Sequence, residues 1–544
     1  MKKILFCAIL VLGITLRFYQ LGVVPASMDW DEVSLGYNAY SLLLNGTDEY
    51  GNSWPLSIRS FNDYKPPAYT YLDIIPTAIF GLNEFGTRFP AAFFGSLTVI
   101  GVYFLTREFF KNSTFNQQIS LFAMLIFAIS PWHLQFSRAA FEGGIAVFLV
   151  VWGMYFLLKW LNDNSKYAVI LSSILLAASF YAYHAPRMIV PLLLLGIALR
   201  YRKHFWSRKN ELVIPAVLGV LLLLPLGLVL LRGSASERFS SVSVFSPKTE
   251  ILRPLEYERE DKAVNNWNSW IHNRRIEYGK EFISGYLNHF NVTKMFMKGD
   301  AVERHHAPDV GLFYFIELPF ILLGILSLIK RKFKYKFIFF YWALIAPLPA
   351  AISTGTPHAI RSILLLPLPQ IAIAVGFVEA WIFLKNISLP DKKLILQTST
   401  GIIILLFGYN FAYYLNQYYH HMDVEYAQYW QYGYKQLVQK LAPLENQYDK
   451  IVITPAFDQP YIYFLYYKQY DPRIWINNGE FNRGFDKYEF RTPYWAEDRK
   501  LHNTLLVGEM MGIPEGEPGT IDIIRLPEGK DGSKDVFRII PSQY

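Results

Sequence analysis

Long apolar runs occupy most of the first three quarters of the chain and limit the folds that it can adopt. Up to about residue 415 these runs alternate with short charged segments, whereas the remainder has the composition of a soluble protein. Only 18% of the 544 residues are charged, compared with about 25% in a typical soluble protein. A membrane-crossing helix needs about 20 mostly apolar residues, so the pattern predicts a mainly α, polytopic membrane protein of about eleven transmembrane helices.

Basic connecting segments indicate the direction in which the predicted helices cross. The first apolar run follows two lysines and has no convincing small-residue cleavage site, so we interpret it as an uncleaved anchor with a cytoplasmic N-terminus. Every second connection is then rich in lysine and arginine, as expected for the cytoplasmic side of a plasma-membrane protein. The predicted spans lie at 4–19, 88–106, 118–132, 144–160, 167–182, 187–200, 211–231, 310–329, 336–352, 362–384 and 394–415.

The apolar stretch 68–82 fits this topology only if it does not cross the membrane. If it crossed, the basic cluster at 200–209 would lie outside, contrary to the charge rule. We therefore expect a juxtamembrane or re-entrant helix at 68–82. The predicted organisation is a transmembrane domain at 1–415, with outer loops at 20–87 and 232–309, and a small extracytoplasmic α/β domain at 416–544 that begins with an amphipathic helix at 423–441.

Three short outer turns each contain an arginine, contrary to the charge rule that orients the spans. These are Arg138, Arg187 and Arg361, and Lys65 and Arg88 lie toward the same membrane face. Several guanidinium groups at one face can bind a phosphate bidentately, which favours a substrate-binding role for the set. The alternative is that the arginines reach toward lipid headgroups or pair with nearby acids.

Two histidines accompany these arginines. His184 and His358 each lie three residues before an arginine. At such a turn a histidine is more often a hydrogen-bonding neighbour than a metal ligand. We therefore predict that both belong to the substrate-binding set.

Histidines and acids also lie close together in the large outer loop. His305 and His306 follow Asp300 and Glu303. Their spacing matches no standard metal site, so the sequence favours no metal there.

The first outer loop begins with a cluster of acids. The segment MDWDEVSLGYNAY places Asp29, Asp31 and Glu32 at the membrane edge. Carboxylates beside a low-dielectric region are costly unless they are paired or used. One could act as a general base toward an acceptor hydroxyl, whereas the alternative is that Asp29 or Asp31 only caps a helix N-terminus. The cations predicted on the same face favour group transfer from a phosphorylated lipid.

Three segments resemble a known family. DEVSLGYNAY, NDYKPPAYTYL and FGLNEFGTRFPAAFFGSLTVIGVYFL are similar to the N-terminal half of the protein O-mannosyltransferase family and of its bacterial relatives, which include the aminoarabinose transferases that modify lipid A. These proteins belong to the GT-C superfamily of glycosyltransferases. The resemblance is strongest over 17–145 and weaker through the spans to about 415.

The resemblance implies a GT-C fold and transfer of a sugar from a polyprenyl-phosphate donor in the membrane to an extracytoplasmic glycan, lipid or protein acceptor. In the family pattern Asp31 is the general base, and Glu32 orients the base or the acceptor. Lys65 holds the carrier phosphate, helped by Arg138 and by Arg361. A single displacement at the anomeric carbon predicts inversion of its configuration.

The resemblance implies that Glu142 binds a metal ion. It occupies the position of a metal-linked acid in the lipid A branch, so a divalent metal is the candidate cofactor and no other is implied. Glu142 also follows Arg138 by four residues, which would place both on one face of a helix.

Other classes of protein share parts of this pattern. An oligosaccharyltransferase or O-antigen ligase also uses a lipid-linked donor at an outward-facing site. A lipid or sugar transporter would instead show ionisable residues in the middle of spans and repeat symmetry, and neither is evident. The net charge of +8 comes from basic residues between apolar runs, so we expect no nucleic-acid partner.

Overall fold

The computed structural model describes residues 2–61, 63–231, 252–264, 273–386, 391–478, 484–529 and 532–543. Of the predicted outer loop 232–309, residues 232–251 and 265–272 lie outside this part. The chain packs into two compact units. The first, here called the helical unit, comprises Met1–Leu16, Phe94–Phe136 and Glu142–Tyr414. The second, the mixed unit, comprises Arg17–Phe93, Ser137–Phe141 and Leu415–Tyr544.

Helices account for most of the described residues. Five of them are long and apolar enough to cross a membrane, at Glu84–Phe109, Glu142–Asp163, Lys209–Val229, Ile363–Asn386 and Lys392–Glu425. Shorter apolar helices lie at Asn116–Ala128, Lys166–Ala182 and Lys336–Ala351. Further helices lie at Lys2–Phe18, Ala185–Arg200, Leu252–Val264, Arg274–Asn288 and Leu318–Lys330. These bounds follow the predicted spans closely, while the total of about eleven spans stays a prediction.

The apolar side chains of two of these helices face outward. Only 11% of the apolar window of Lys209–Val229 is buried, and none of that of Lys392–Glu425. Within them Leu221 is 58% exposed and Leu405 is 73% exposed. Apolar surface on this scale is unfavourable in water and favourable against lipid chains. The chain is therefore a multi-pass membrane protein, as predicted.

Small residues allow two helices of the helical unit to pack closely. A Cβ added at Gly324 would lie 1.8 Å from the carbonyl oxygen of Ala372, and one added at Gly376 would lie 1.9 Å from that of Phe320. Beside this crossing the rings of Phe320 and Phe377 stack with centroids 3.9 Å apart. Membrane helices that lack a hydrophobic driving force commonly associate through such small-residue contacts.

Two predicted spans begin later than the hydropathy indicates. The span 310–329 is helical only over Leu318–Lys330, after a short 3₁₀ turn at Phe315–Glu317. The span 362–384 starts with the 3₁₀ turn Ile363–Leu365, and its α-helix is Leu368–Asn386. Prolines explain both late starts, because Pro319 and Pro369 occupy the first turns of the two helices, where a missing N–H is tolerated.

The stretch 68–82 forms the helix Ala68–Phe80. Its 13 residues span about 20 Å at 1.5 Å per residue, less than the ~30 Å hydrocarbon core of a bilayer. The length agrees with the interpretation of 68–82 as a helix that does not cross.

The mixed unit contains all the described β-strands. Strands β1 (Ile58–Ser60) and β2 (Asp63–Lys65) form an antiparallel hairpin. A six-stranded sheet has the order β4-β5-β3-β6-β8-β7. Its strands are β3 (Lys450–Ile453), β4 (Gly484–Phe485), β5 (Tyr488–Phe490), β6 (Thr504–Gly508), β7 (Asp522–Arg525) and β8 (Asp535–Pro541). Strand β3 pairs in parallel with β5 and β6, and the other pairs are antiparallel.

The predicted helix at 423–441 is wrong, because the chain breaks it. Helical turns lie at Met422–Glu425 and Ala427–Trp430, and a separate helix at Tyr434–Leu441. Between them Gln431 has a φ of 50° and Gly433 a φ of 119°. A right-handed helix cannot continue through residues with positive φ. At Gly433 this conformation costs little free energy, because glycine has no Cβ.

The C-terminal region does not pack alone. Its core includes Met28, Val33 and Tyr37 from the first outer loop. The Tyr37 hydroxyl donates to the carbonyl oxygen of Tyr470 at 3.0 Å, and the Tyr463 hydroxyl donates to that of Met28 at 3.2 Å. The first outer loop and the C-terminal region therefore form one folded unit around a shared core.

Candidate active site

The acid cluster of the first loop lies at the start of the helix Trp30–Asn45. The carboxylate of Asp29 accepts a hydrogen bond from the backbone N–H of Glu32 at 2.9 Å. Asp29 is therefore the N-cap, the structural role that the sequence left open for this residue or for Asp31. The cap fixes the first turn, which carries Asp31 and Glu32.

Glu32 is buried completely and pairs with Arg88. The guanidinium donates Nε–H to Oε1 of Glu32 at 2.9 Å and Nη2–H to Oε2 at 3.0 Å, a bidentate contact. Oε1 also accepts from the backbone N–H of Ala140 at 2.7 Å. Complete burial raises the pKa of the Glu32 carboxyl above its ordinary value, although Arg88 opposes that shift.

Arg88 has no donor left for a substrate. Besides its two bonds to Glu32, its N–H groups donate to the carbonyl oxygens of Leu21, Pro25 and Ser27 at 2.7–3.3 Å. These five bonds use all five donors of a guanidinium. The predicted contact of Arg88 with a phosphate would require one of them to break. In this structure Arg88 instead holds the segment that precedes the acid helix against Glu32.

Asp31 pairs with Lys65, the last residue of β2. The ammonium nitrogen lies 2.5 Å from Oδ1 of Asp31. Only 7% of the Lys65 side chain is exposed, against 36% of that of Asp31. The two prolines after Lys65 end the hairpin and lead into the helix Ala68–Phe80, which fixes the backbone at the lysine. The ion pair therefore consists of an accessible carboxylate and a buried lysine side chain.

Arg138 is buried in the same unit. Its guanidinium donates to the carbonyl oxygens of Arg17 and Val24, both at 3.3 Å. It also lies over the rings of Tyr418 and Tyr419, 5.0 and 5.1 Å from their centroids. Arg138 is thus held by carbonyl oxygens and tyrosine rings of the mixed unit.

A further acid, Glu49, belongs to this region and was not singled out from the sequence. It is fully buried, and among the described residues its carboxylate oxygens have no hydrogen-bond partner. Burial, reinforced by Asp48, raises the pKa of Glu49 to about 8, while the positive charge of Lys65 opposes the shift. The adjacent acids of TDEYGN were visible in the sequence, but nothing there indicated burial.

The remaining predicted residues lie in the helical unit, at the ends of helices. Nδ1 of His184 lies 3.0 Å from Nη1 of Arg187, whose Nε donates to the carbonyl oxygen of Phe180. Arg361 donates to the carbonyl oxygen of Thr354 at 3.2 Å. Glu142 is the first residue of its helix. His184 is thus in contact with the arginine three residues later.

His358 instead lies beside two residues of the large outer loop. Asp300, His305 and His358, called here the histidine cluster, each offer a ligand atom, and these atoms lie within 4.8 Å of one another. Among the described residues, these three are the histidine and acidic side chains that lie close enough together to hold a metal ion. Glu142 is not among them.

Comparisons with known proteins agree with this architecture. Residues 7–182 match the family described as dolichyl-phosphate-mannose-protein mannosyltransferase. The structure is similar to that of ArnT from Cupriavidus metallidurans bound to undecaprenyl phosphate, with a TM-score of 0.54 and 12% identity over 99% of this chain and 98% of that one. The fold is GT-C.

A second GT-C structure is also similar. The archaeal oligosaccharyltransferase AglB from Archaeoglobus fulgidus, in complex with an inhibitory peptide and a dolichol-phosphate, matches with a TM-score of 0.52 and 13% identity over 100% of this chain and 74% of that one. No curated protein matches the chain by sequence. The predicted GT-C resemblance is confirmed, while the roles of the individual residues stay predictions.

Proposed function

We propose that the chain is a membrane glycosyltransferase that transfers a sugar from a polyprenyl-phosphate donor to an extracytoplasmic acceptor, with Asp31 as the general base. The observation that carries the proposal is the pairing of an accessible carboxylate, Asp31, with a buried lysine, Lys65. The GT-C fold supports the reaction class. Undecaprenyl phosphate and dolichol-phosphate, bound in the similar structures of ArnT and AglB, are both polyprenyl phosphates and support the donor class.

The Asp31–Lys65 pair suits a reaction in which a proton and a phosphate are handled together. A carboxylate has about four acceptor positions and an ammonium has three donors, so each can keep the other while it engages a substrate. Lys65 would bind the carrier phosphate of the donor. Asp31 would accept the hydrogen bond of the acceptor hydroxyl.

Transfer then follows as a single displacement. The acceptor oxygen attacks the anomeric carbon while the bond from that carbon to the phosphate oxygen breaks. The hydroxyl proton passes to Asp31, and the polyprenyl phosphate leaves with the electron pair of the broken bond, stabilised by Lys65. Attack from the face opposite the leaving phosphate inverts the anomeric configuration.

A second cationic group of the mixed unit, Arg138, would act on the same phosphate. Two hydrogen bonds of Arg138, to the carbonyl oxygens of Arg17 and Val24, are long at 3.3 Å, so a phosphate could compete for these donors. We retain Arg138, Arg187, Arg361 and the two predicted histidines as substrate-binding residues. Arg88, whose donors are all used, would act by positioning Glu32 and the first turn of the acid helix.

The proposed location is the plasma membrane, with the N-terminus in the cytoplasm and the mixed unit outside. Cys7 is the chain's one cysteine, and Met511 in the mixed unit is 93% exposed. In a Cys7→Ala background, Met511→Cys should react in intact cells with a thiol reagent that does not cross membranes. Labelling only after the cells are opened would place the mixed unit on the cytoplasmic side and refute the orientation.

The reaction is tested in proteoliposomes with a labelled polyprenyl-phosphate hexose or pentose and membrane acceptors. Asp31→Asn should reduce transfer by about 10²–10⁴-fold, the usual contribution of a general base. Lys65→Ala should reduce it by about 10²–10³-fold, as does loss of one donor to a developing charge.

A second ion pair of the mixed unit provides the matched control. Lys440 and Asp522 pair at its surface, with side chains 41% and 38% exposed. Lys440→Ala and Asp522→Asn remove the same charges and should leave transfer within about twofold, because exposed pairs contribute little to stability. Transfer by Asp31→Asn at the control rate would refute the proposed base. Transfer only from a lipid-linked oligosaccharide would instead favour an oligosaccharyltransferase or ligase.

A further inference from the structure

The histidine cluster brings together two separate parts of the helical unit. Asp300 and His305 lie in the outer loop, and His358 lies in the turn before the 3₁₀ helix Ile363–Leu365. The backbone N–H of Ala359 donates to Oδ2 of Asp300 at 2.6 Å, which ties that turn to the loop. The rings of His305 and His358 lie with centroids 4.9 Å apart. The contact between Ala359 and Asp300 therefore holds the turn that carries His358 beside the loop that carries His305.

One nitrogen of this cluster is buried without a partner. Among the described residues, nothing hydrogen-bonds Nδ1 of His358, although solvent does not reach this atom. Leaving such a group unsatisfied costs free energy. The neighbouring side chain of His289 does not supply the bond, because its Nε2 accepts from the backbone N–H of His358 at 3.2 Å and its Nδ1 donates to the carbonyl oxygen of Gly285.

We propose that Asp300, His305 and His358 bind a divalent transition-metal ion, with Zn²⁺ as the best match. Two imidazole nitrogens and one carboxylate oxygen suit zinc better than magnesium or calcium, which prefer oxygen ligands alone. Tetrahedral ligands about 2.0–2.1 Å from zinc lie about 3.3 Å from one another. The ligand atoms of the cluster lie within 4.8 Å of one another, so small side-chain rotations bring them into position.

The contact between Asp300 and His305 fits this assignment. Oδ2 of Asp300 lies 2.7 Å from Nδ1 of His305, so these two ligands already meet. Metal ligands bind in deprotonated form, so an ion bound here would displace the proton between these two atoms. Three protein ligands leave a fourth position of a tetrahedral zinc open for water or for a substrate oxygen. This site differs from the metal site that the family resemblance implies at Glu142, because Glu142 is not part of the histidine cluster.

The site is tested on the full-length protein in detergent, purified without a polyhistidine tag and freed of metal with a chelator. Equilibrium dialysis against Zn²⁺ followed by elemental analysis should give one tightly held ion per chain. His358→Ala and Asp300→Asn should each weaken binding at least tenfold. His502→Ala, in a side chain that is 88% exposed, and Glu142→Gln should leave zinc binding unchanged.

The absorption spectrum of bound Co²⁺ distinguishes loss of a metal ligand from general damage to the fold. Co²⁺ alone should give visible bands of a tetrahedral ion in the wild type, and His358→Cys should add a sulfur-to-cobalt charge-transfer band. Each variant should still unfold cooperatively without metal, and Zn²⁺ should raise its Tm only where binding persists. Equal zinc binding by wild type and His358→Ala, or no charge-transfer band in a folded His358→Cys, would overturn the proposal. Loss of zinc in Glu142→Gln but not in Asp300→Asn would move the metal to Glu142.

Discussion

Replacing Glu32 by glutamine removes a buried charge while it keeps the size of the side chain. The carboxylate accepts two hydrogen bonds from Arg88 and one from Ala140, and neither side chain of the ion pair is exposed. In the variant one carboxylate oxygen becomes an NH₂ group, which would face an N–H of Arg88 or of Ala140. The guanidinium also loses its compensating charge. Breaking a buried pair in this way costs about 3–5 kcal/mol.

The expected change in Tm follows from the size of the unit that contains the pair. For a folded unit of about 150–250 residues, 1 kcal/mol lowers Tm by about 2–4 °C. Glu32→Gln should therefore lower the Tm of the mixed unit by about 6–20 °C, measured by the fluorescence of its tryptophans in detergent. Transfer should also fall, because the first turn that presents Asp31 is less firmly held.

A double-mutant cycle separates the charge effect from general damage. Arg88→Met alone leaves Glu32 as the uncompensated partner and should be similarly destabilising. Replacing both charges by Glu32→Gln and Arg88→Met should recover part of the loss, because the buried charge is then gone. If Glu32→Gln lowers Tm by less than about 2 °C, or if the double variant loses as much stability as the two single variants together, the buried charges of this pair do not stabilise the mixed unit.

Two further predictions concern a buried acid and a helix crossing. Burial raises the pKa of Glu49 to about 8, above its ordinary 4.5, so between these pH values the folded chain keeps a proton that the unfolded chain releases. Stability should therefore fall as pH rises from about 4.5 and be lost once pH has passed through about 8. Glu49→Gln should flatten this part of the Tm–pH profile, and an unchanged profile would refute the burial argument. Gly324→Ala should lower Tm by several degrees, because the new Cβ would meet the carbonyl oxygen of Ala372 at 1.8 Å. Gly227→Ala is the control, since a Cβ there would meet nothing within 4 Å, and equal Tm values would contradict the close packing.

Predictions from the sequence succeeded where the signal is local. The apolar runs predicted most of the helices to within a few residues, and the topology argument placed Asp31 and Lys65 on one face before the structure paired them. The break at Gln431 was missed because an amphipathic pattern does not reveal left-handed backbone. The sequence also gave no indication of how many donors of Arg88 are used by carbonyl oxygens.

The histidine cluster shows why spacing alone missed a site. His305 and Asp300 are close in sequence, but their third partner is His358, beyond two helices. A motif search around His305 therefore meets an incomplete set of ligands. His358 was in turn interpreted through its nearest sequence neighbour, Arg361. Contacts over such a separation depend on tertiary packing, which a single sequence does not display.

The two adjacent acids of the first turn differ mainly in environment. Successive residues of a helix point about 100° apart, so Glu32 faces the interior when Asp31 faces outward. Glu32 meets a guanidinium whose five donors are all used, which makes its contact costly to break. Asp31 pairs with Lys65 and keeps about a third of its side chain exposed. A general base must exchange hydrogen-bond partners during each turnover, whereas a residue that only positions the helix must keep its partners. The geometry therefore favours Asp31 for the proton and Glu32 for holding the turn that carries it.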